Sequence, residues 1–115
     1  MKLGAACIAF TLVAIGQLAG AAPAAAACYE DVGCTDRDIF PENQLFRLAE
    51  CEILWEMRNT IYSERGYCFQ TKRAISAFGN RACQYNRAED VPLNSAERAN
   101  IATIQRVESR KRCPR

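Results

Sequence analysis

Hydrophobic and polar positions divide this chain into an uncharged leader and a helical remainder. Met1-Lys2 is followed by Leu3 to Ala27, where no residue is charged. Leu, Ile, Val and Phe are confined to Leu3–Leu18 of that run, and small residues continue to Ala27. An apolar core followed by Ala-x-Ala repeats predicts an export signal over residues 1–27, with cuts possible after Ala24 or Ala27. Two other readings compete. The run is long enough for an anchor, but its second half is weakly apolar Ala, Gly and Pro. Lipidation at Cys28 would lack the usual Leu three residues earlier. No stable membrane span is expected once the signal is removed.

Residues 28–41 have no periodicity and read as an irregular cysteine-containing arm. Residues 42–115 read as a helical domain. Pro41-Glu42-Asn43 suits a helix start, and the strongest helix is expected from Glu42 to Arg65. Gly66 is its stop, because glycine accepts the left-handed conformation just past a helix. On that helix Leu48, Cys51, Leu54, Trp55, Ile61 and Tyr62 gather on one side, opposite Glu52, Glu56, Thr60 and Ser63. Arg58 intrudes on the apolar side. Thr71 can cap a short helix over Lys72–Phe78, ended by Gly79-Asn80. Arg81 to Pro92 reads as a loop. Asn94 can cap a last helix running to about Arg110, with Glu97 reaching back and Ile101, Ile104 and Val107 as its stripe. No strand pattern is evident. The predicted fold is mainly α: one long, one short and one C-terminal helix, stapled by disulfides and preceded by a signal peptide.

The cysteines set the compartment. Of seven, Cys7 lies in the leader, leaving six: Cys28, Cys34, Cys51, Cys68, Cys83 and Cys113. Lipidation at Cys28 would leave five. An even set in a small exported domain is a disulfide framework. Six cysteines allow 15 pairings. Proximity favours Cys28–Cys34. Antiparallel packing of the long and last helices would bring Cys51, midway along the first, to Cys113. Cys68–Cys83 remains. A loop of about 15 residues contributes about 3 kcal/mol in the entropic model.

The run Leu54-Trp55-Glu56-Met57-Arg58-Asn59-Thr60-Ile61-Tyr62-Ser63-Glu64-Arg65-Gly66-Tyr67-Cys68-Phe69 resembles the YARHG domain, a short bacterial domain of extracytoplasmic type. The naming motif falls on Tyr62-Ser63-Glu64-Arg65-Gly66. Tyr62 and Gly66 match it, whereas Ser63, Glu64 and Arg65 replace Ala, Arg and His. Arg58-Asn59, Ile61, Tyr67 and Phe69 match the flanks. Leu93, Glu97, Asn100-Ile101 and Ile104 are similar to the closing helix. The Trp-Tyr pair common between these parts is missing, with Phe78 and Cys83 in that region. The chain is similar to a cysteine-bearing branch of the family. The resemblance implies a compartment and a helical fold, and no activity.

Chemistry is sparse. The chain has no His, which removes the usual general base and the commonest metal ligand. No Cys-x-x-Cys pair supports zinc. No metal, cofactor or catalytic residue is expected. Glu52 and Glu56 stand one turn apart, but on a polar helix face rather than across a cleft. Arg58 either satisfies carbonyls or pairs with Glu97 or Glu108, or forms an anion site with Trp55, Asn59 and Tyr62. With the motif residues Arg65, Gly66 and Tyr67, these make up the candidate binding set.

Charge adds one asymmetry. Removing Lys2 with the leader leaves a net charge of +1. Eight acids lie between Glu30 and Glu56, against Arg37 and Arg47; six bases lie between Arg98 and Arg115, against Glu108. The two ends can attract each other within one fold. The basic end (Arg106, Arg110, Lys111, Arg112, Arg115) either complements a helix C-terminus or docks on anionic lipid or cell-wall polymer. Without interleaved aromatics, no nucleic-acid binding is expected.

The reading is a non-catalytic exported bacterial domain, periplasmic or secreted, with a binding or structural role at the cell envelope. Its partner would be a cell-wall polymer or an envelope protein. The alternatives are a small cell-wall hydrolase using Glu52, Glu56 or Asp90, and a secreted inhibitor or effector acting on another protein.

Overall fold

The computed structural model describes residues 26–115. The leader expected over residues 1–27 therefore lies, up to residue 25, outside the described residues. The rest is mainly α. A two-stranded antiparallel hairpin, β1 (Cys28–Tyr29) and β2 (Gly33–Cys34), precedes α1 (Glu42–Leu48) and α2 (Cys51–Glu64). A short α3 (Lys72–Phe78), a 3-10 turn (Ala88–Asp90) and α4 (Ser95–Arg110) follow.

Two sequence expectations are corrected. Residues 28–41 are not wholly irregular, since the arm pairs as a hairpin. Gly33 makes the turn possible: its φ is +99°, and a Cβ there would lie 2.6 Å from the Asp38 side chain. The helix expected unbroken from Glu42 to Arg65 is two helices. Ala49 and Glu50 between them are extended, with ψ of 124° and 165°. Neither Gly nor Pro sits at this break, so tertiary packing imposes it. One helix over those residues would run about 36 Å, against about 24 Å for the 16-residue α4 it must cover. Breaking it buries Leu45 and Ala49 in the core and turns Leu48 out to 55% exposure. It also puts Cys51 in the first turn of α2, not midway along a helix.

The core joins the two main helices. Leu54, Met57 and Ile61 of α2 meet Ile101, Ile104 and Val107 of α4, with Phe40, Leu45 and Ala49 completing the cluster. Each of these side chains larger than Ala49, fully buried, contributes about 1.5–3 kcal/mol. The helices run antiparallel: Cys51 reaches Cys113, Arg58 reaches Glu108, and Arg65 reaches Glu97. Disulfides join Cys28–Cys34, Cys51–Cys113 and Cys68–Cys83.

Both predicted side-chain caps form. The Thr71 Oγ1 accepts from the Ala74 N–H at 3.2 Å, and the Asn94 Oδ1 from the Glu97 N–H at 2.8 Å. The Glu97 carboxylate does not complete the capping box, because it is drawn to Arg65. Asn100 ties the arm to α4. Its Oδ1 accepts from the Phe40 N–H, and its Nδ2 donates to the Thr35 and Asp38 carbonyls. The acidic and basic ends do meet: Arg106 and Arg110 both hold Glu42, and Arg106, chiefly, keeps that carboxyl below its ordinary pKa.

Candidate functional site

The chain past α4 is built by an unusual helix end. The Arg112 N–H donates to the Ser109 carbonyl at 3.1 Å and the Cys113 N–H to the Glu108 carbonyl at 2.9 Å. These are the two bonds of a Schellman cap. The residue that must turn left-handed in such a cap is usually Gly. Here it is Arg112, at φ +56°. A side chain in that conformation costs about 1–2 kcal/mol. The neighbouring Cys51–Cys113 bridge pins the segment and holds Arg112 in place.

Beside this cap lies a groove of about 680 Å³, lined by Arg58, Gln105, Glu108, Ser109, Arg112 and Arg115. Arg58 is bound bidentately by Glu108, at 3.0 and 3.1 Å. Among the described residues no ion pair involves Arg112 or Arg115. Their guanidiniums are committed to no ion pair among the described residues, and Ser109 and Gln105 add neutral polar groups to the lining. The rest of the basic end has structural partners. Arg106 and Arg110 hold Glu42, and Arg110 and Lys111 lie 4.2 and 5.2 Å from the Phe46 ring.

The seven candidate binding residues do not converge on one surface. Trp55 packs on Phe78 of α3 at 5.7 Å, with the Arg73 guanidinium 3.8 Å over its ring. Asn59 is buried and donates to the Trp55 carbonyl of its own helix. Arg65 grips Glu97 through bonds of 2.8 and 3.1 Å, and Glu97 is 2% exposed. That contact holds the guanidinium pKa above its ordinary value. Removing Arg65 would strand a buried carboxylate.

Tyr62, Gly66 and Tyr67 together form the cap of α2. The Gly66 N–H donates to the Ser63 carbonyl and the Tyr67 N–H to the Tyr62 carbonyl, both at 3.1 Å. Gly66 has φ +87°, and a Cβ there would meet the Tyr85 ring at an ordinary 3.6 Å. Backbone conformation, not space, therefore demands glycine. Tyr62 and Tyr67 pack at 5.5 Å, supplying the apolar contact that accompanies such a cap. The Gly66 carbonyl then accepts from the Gln84 and Tyr85 N–H groups, next to the Cys68–Cys83 bridge.

Of the carboxylates considered for hydrolysis, Glu52 is exposed and paired with Arg73, Glu56 is exposed, and Asp90 sits in the 3-10 turn. Among the described residues no group of three or more metal-ligating side chains gathers. No helix among them is long and apolar enough to cross a membrane.

A family model, the YARHG domain, matches residues 35–109, a span that includes the Tyr-x-x-x-Gly-Tyr cap and nearly all of α4. The chain belongs to the YARHG domain family. No curated protein and no solved structure matches it. YARHG is a domain of extracytoplasmic type with unknown molecular function; the three disulfides fit an oxidising compartment.

In this YARHG domain the motif is occupied in holding the fold. Its two retained positions form the cap, and two of its three departures have their own partners: Arg65 takes Glu97, and Glu64 accepts the Ala27 N–H at 3.0 Å. Burial pushes the Glu64 carboxyl above its ordinary pKa, opposed by that hydrogen bond. A raised folded-state pKa stabilises below the unfolded pKa and loses that contribution as pH rises through the folded value. Glu64→Gln keeps an acceptor and removes the charge. The melting temperature of the variant, relative to the parent, is therefore expected to rise as pH climbs from below the ordinary carboxylate range through the raised folded-state pKa. A difference that stays constant over this range would refute the assignment.

Sequence reasoning missed the groove because it joins Arg58 of α2 to a segment far along the chain. One signal was present: Arg112 stands two residues past the end of α4, where Gly is the usual choice.

Proposed function

We propose that residues 28–115 form an exported, non-catalytic binding domain, periplasmic or secreted, that docks on an anionic cell-wall polymer at the envelope. The observation that carries this is the groove in which Arg112 and Arg115 stand beside Arg58, Ser109 and Gln105. A left-handed arginine stands where glycine would carry no steric strain, and strain of this kind clusters at functional positions. Three disulfides and an uncharged leader support the compartment. Of the two signal cuts considered, the one after Ala24 preserves the bonds of Ala27 to Glu64 and Thr35.

Arg112→Gly tests the reading, because it relieves strain while deleting the guanidinium. The variant is expected to match or exceed the parent in thermal stability. Combined with Arg115→Ser, it should lose about tenfold in affinity for purified sacculi at low salt, about 1.4 kcal/mol. Unchanged retention would overturn the proposal. Release of soluble glycan or peptide fragments by the parent would sink its non-catalytic part.

A further inference from the structure

The three disulfides differ in what surrounds their sulfurs. Cys28 is exposed on β1, while Cys34 is 9% exposed on β2. The Arg37 Nη2 lies 3.0 Å from the Cys34 Sγ and 3.8 Å from the Cys28 Sγ. Asp36 holds the Nη1 of the same guanidinium at 3.2 Å and so aims its other nitrogen at the sulfurs. Asp38, the nearby acid that could compete for Arg37, instead accepts from the Cys34 N–H at 2.7 Å. Among the described residues no cation is bonded to the sulfurs of the other two bridges.

We propose that Cys28–Cys34 is a thiol-exchange site, with Cys28 the attacked sulfur and Cys34 the leaving one. The co-reactant is a thiol, either a small monothiol or a protein cysteine. Its thiolate attacks the Cys28 Sγ, a new S–S bond forms, and the Cys28–Cys34 bond breaks with its electron pair on the Cys34 Sγ. Arg37 stabilises that thiolate, and a better-stabilised leaving thiolate departs faster. A second thiolate then attacks the mixed disulfide, leaving both cysteines reduced and the two external thiols joined by a disulfide. Run backwards, the same steps reduce an external disulfide and re-form the Cys28–Cys34 bond. Cys28 and Cys34 are only six positions apart in sequence, so opening this bridge releases the least constraint on the unfolded chain. Cys51–Cys113 and Cys68–Cys83 remain to hold the helices.

The purified oxidised protein is equilibrated in graded glutathione redox buffers, alkylated, and mapped by mass spectrometry, with circular dichroism on the same samples. Cys28–Cys34 is expected to open at a buffer at least about tenfold less reducing than the other bridges need, with helicity retained. The trapped mixed disulfide should sit on Cys28. Exposed Arg37 can be replaced without disturbing the core: Arg37→Met should require a several-fold more reducing buffer, and Arg37→Lys should restore part of the difference. Substituting a thiol-bearing protein for glutathione distinguishes the two sources of co-reactant. Opening of all three bridges together, a mixed disulfide on Cys34, or an unchanged midpoint in Arg37→Met would each overturn the proposal.

Discussion

Replacing Cys51 and Cys113 together by serine is expected to remove about 4 kcal/mol of stability. The bridge spans 62 residues, and the entropic model gives about 4 kcal/mol for a loop of that length. The same model gives about 3 kcal/mol for the 15-residue span of Cys68–Cys83. Domains of this size have only about 5–15 kcal/mol in hand, so the loss would leave the protein close to its folding threshold. The bridge also sits where it matters mechanically. It joins the first turn of α2 to the cap of α4, clamping one end of the antiparallel pair, while Arg65–Glu97 closes the other. Both cysteines must be changed, because a single substitution leaves a thiol able to attack the remaining bridges. Denaturant midpoints of the double variant against the oxidised parent measure the effect. A loss under about 1 kcal/mol would mean that the unfolded chain is restrained by something other than this crosslink.

Asn100→Ala is expected to cost about 3–4 kcal/mol, although it removes no apolar contact of consequence. Asn100 is fully buried, and its amide satisfies three backbone groups of the arm: the Phe40 N–H and the Thr35 and Asp38 carbonyls. A buried polar group left without a partner costs about 1–3 kcal/mol. Partial rehydration of the loosened arm brings the total below the simple sum. Asn100→Asp discriminates the cause. It keeps an acceptor for Phe40 but faces two carbonyls with oxygen in place of a donor, so it should destabilise at least as much as alanine. Denaturant titration gives the size of the effect, and hydrogen exchange at the Phe40 amide gives its location. Full protection of that amide in Asn100→Ala would contradict this account.

Helix ends were legible from local chemistry. Thr71, Asn94, Gly66 and Gly79 mark their termini because a cap depends on one side chain or one φ value and its immediate neighbours. The apolar stripe of α4 was legible for the same reason, as burial on one face imposes a helical period. The break at Ala49-Glu50 was not. Nothing local forbids a continuous helix there; only the length of α4 and the place of Leu45 and Ala49 in the core do. Leu48 accordingly appears apolar-facing on a helical wheel and stands exposed in the fold. Asn100 was noticed only as part of a resemblance, since its three partners lie about 60 positions earlier in the chain.

The candidate site follows the same division. That Arg58 would find a carboxylate was open from the sequence, because a guanidinium amid apolar positions needs a partner; that Glu108 rather than Glu97 takes it depended on helix register. The motif residues Tyr62, Gly66 and Tyr67 were visible as candidates for binding. Their use as a helix cap emerges only when carbonyl and N–H partners are assigned.

By itself the sequence determined a small helical domain with six cysteines beyond an N-terminal run, Leu3 to Ala27, without charge, no histidine, and the caps that start and stop its helices. These are properties of composition and of residues close together in the chain. Tertiary structure alone decided which carboxylates Arg58 and Arg65 meet, that a left-handed arginine lines a groove with Arg58, and that Arg37 stands against one disulfide and not the others. Each of those depends on side chains brought together by antiparallel packing or by a turn, and the ångström-scale distances that decide charge pairing are not encoded in residue spacing.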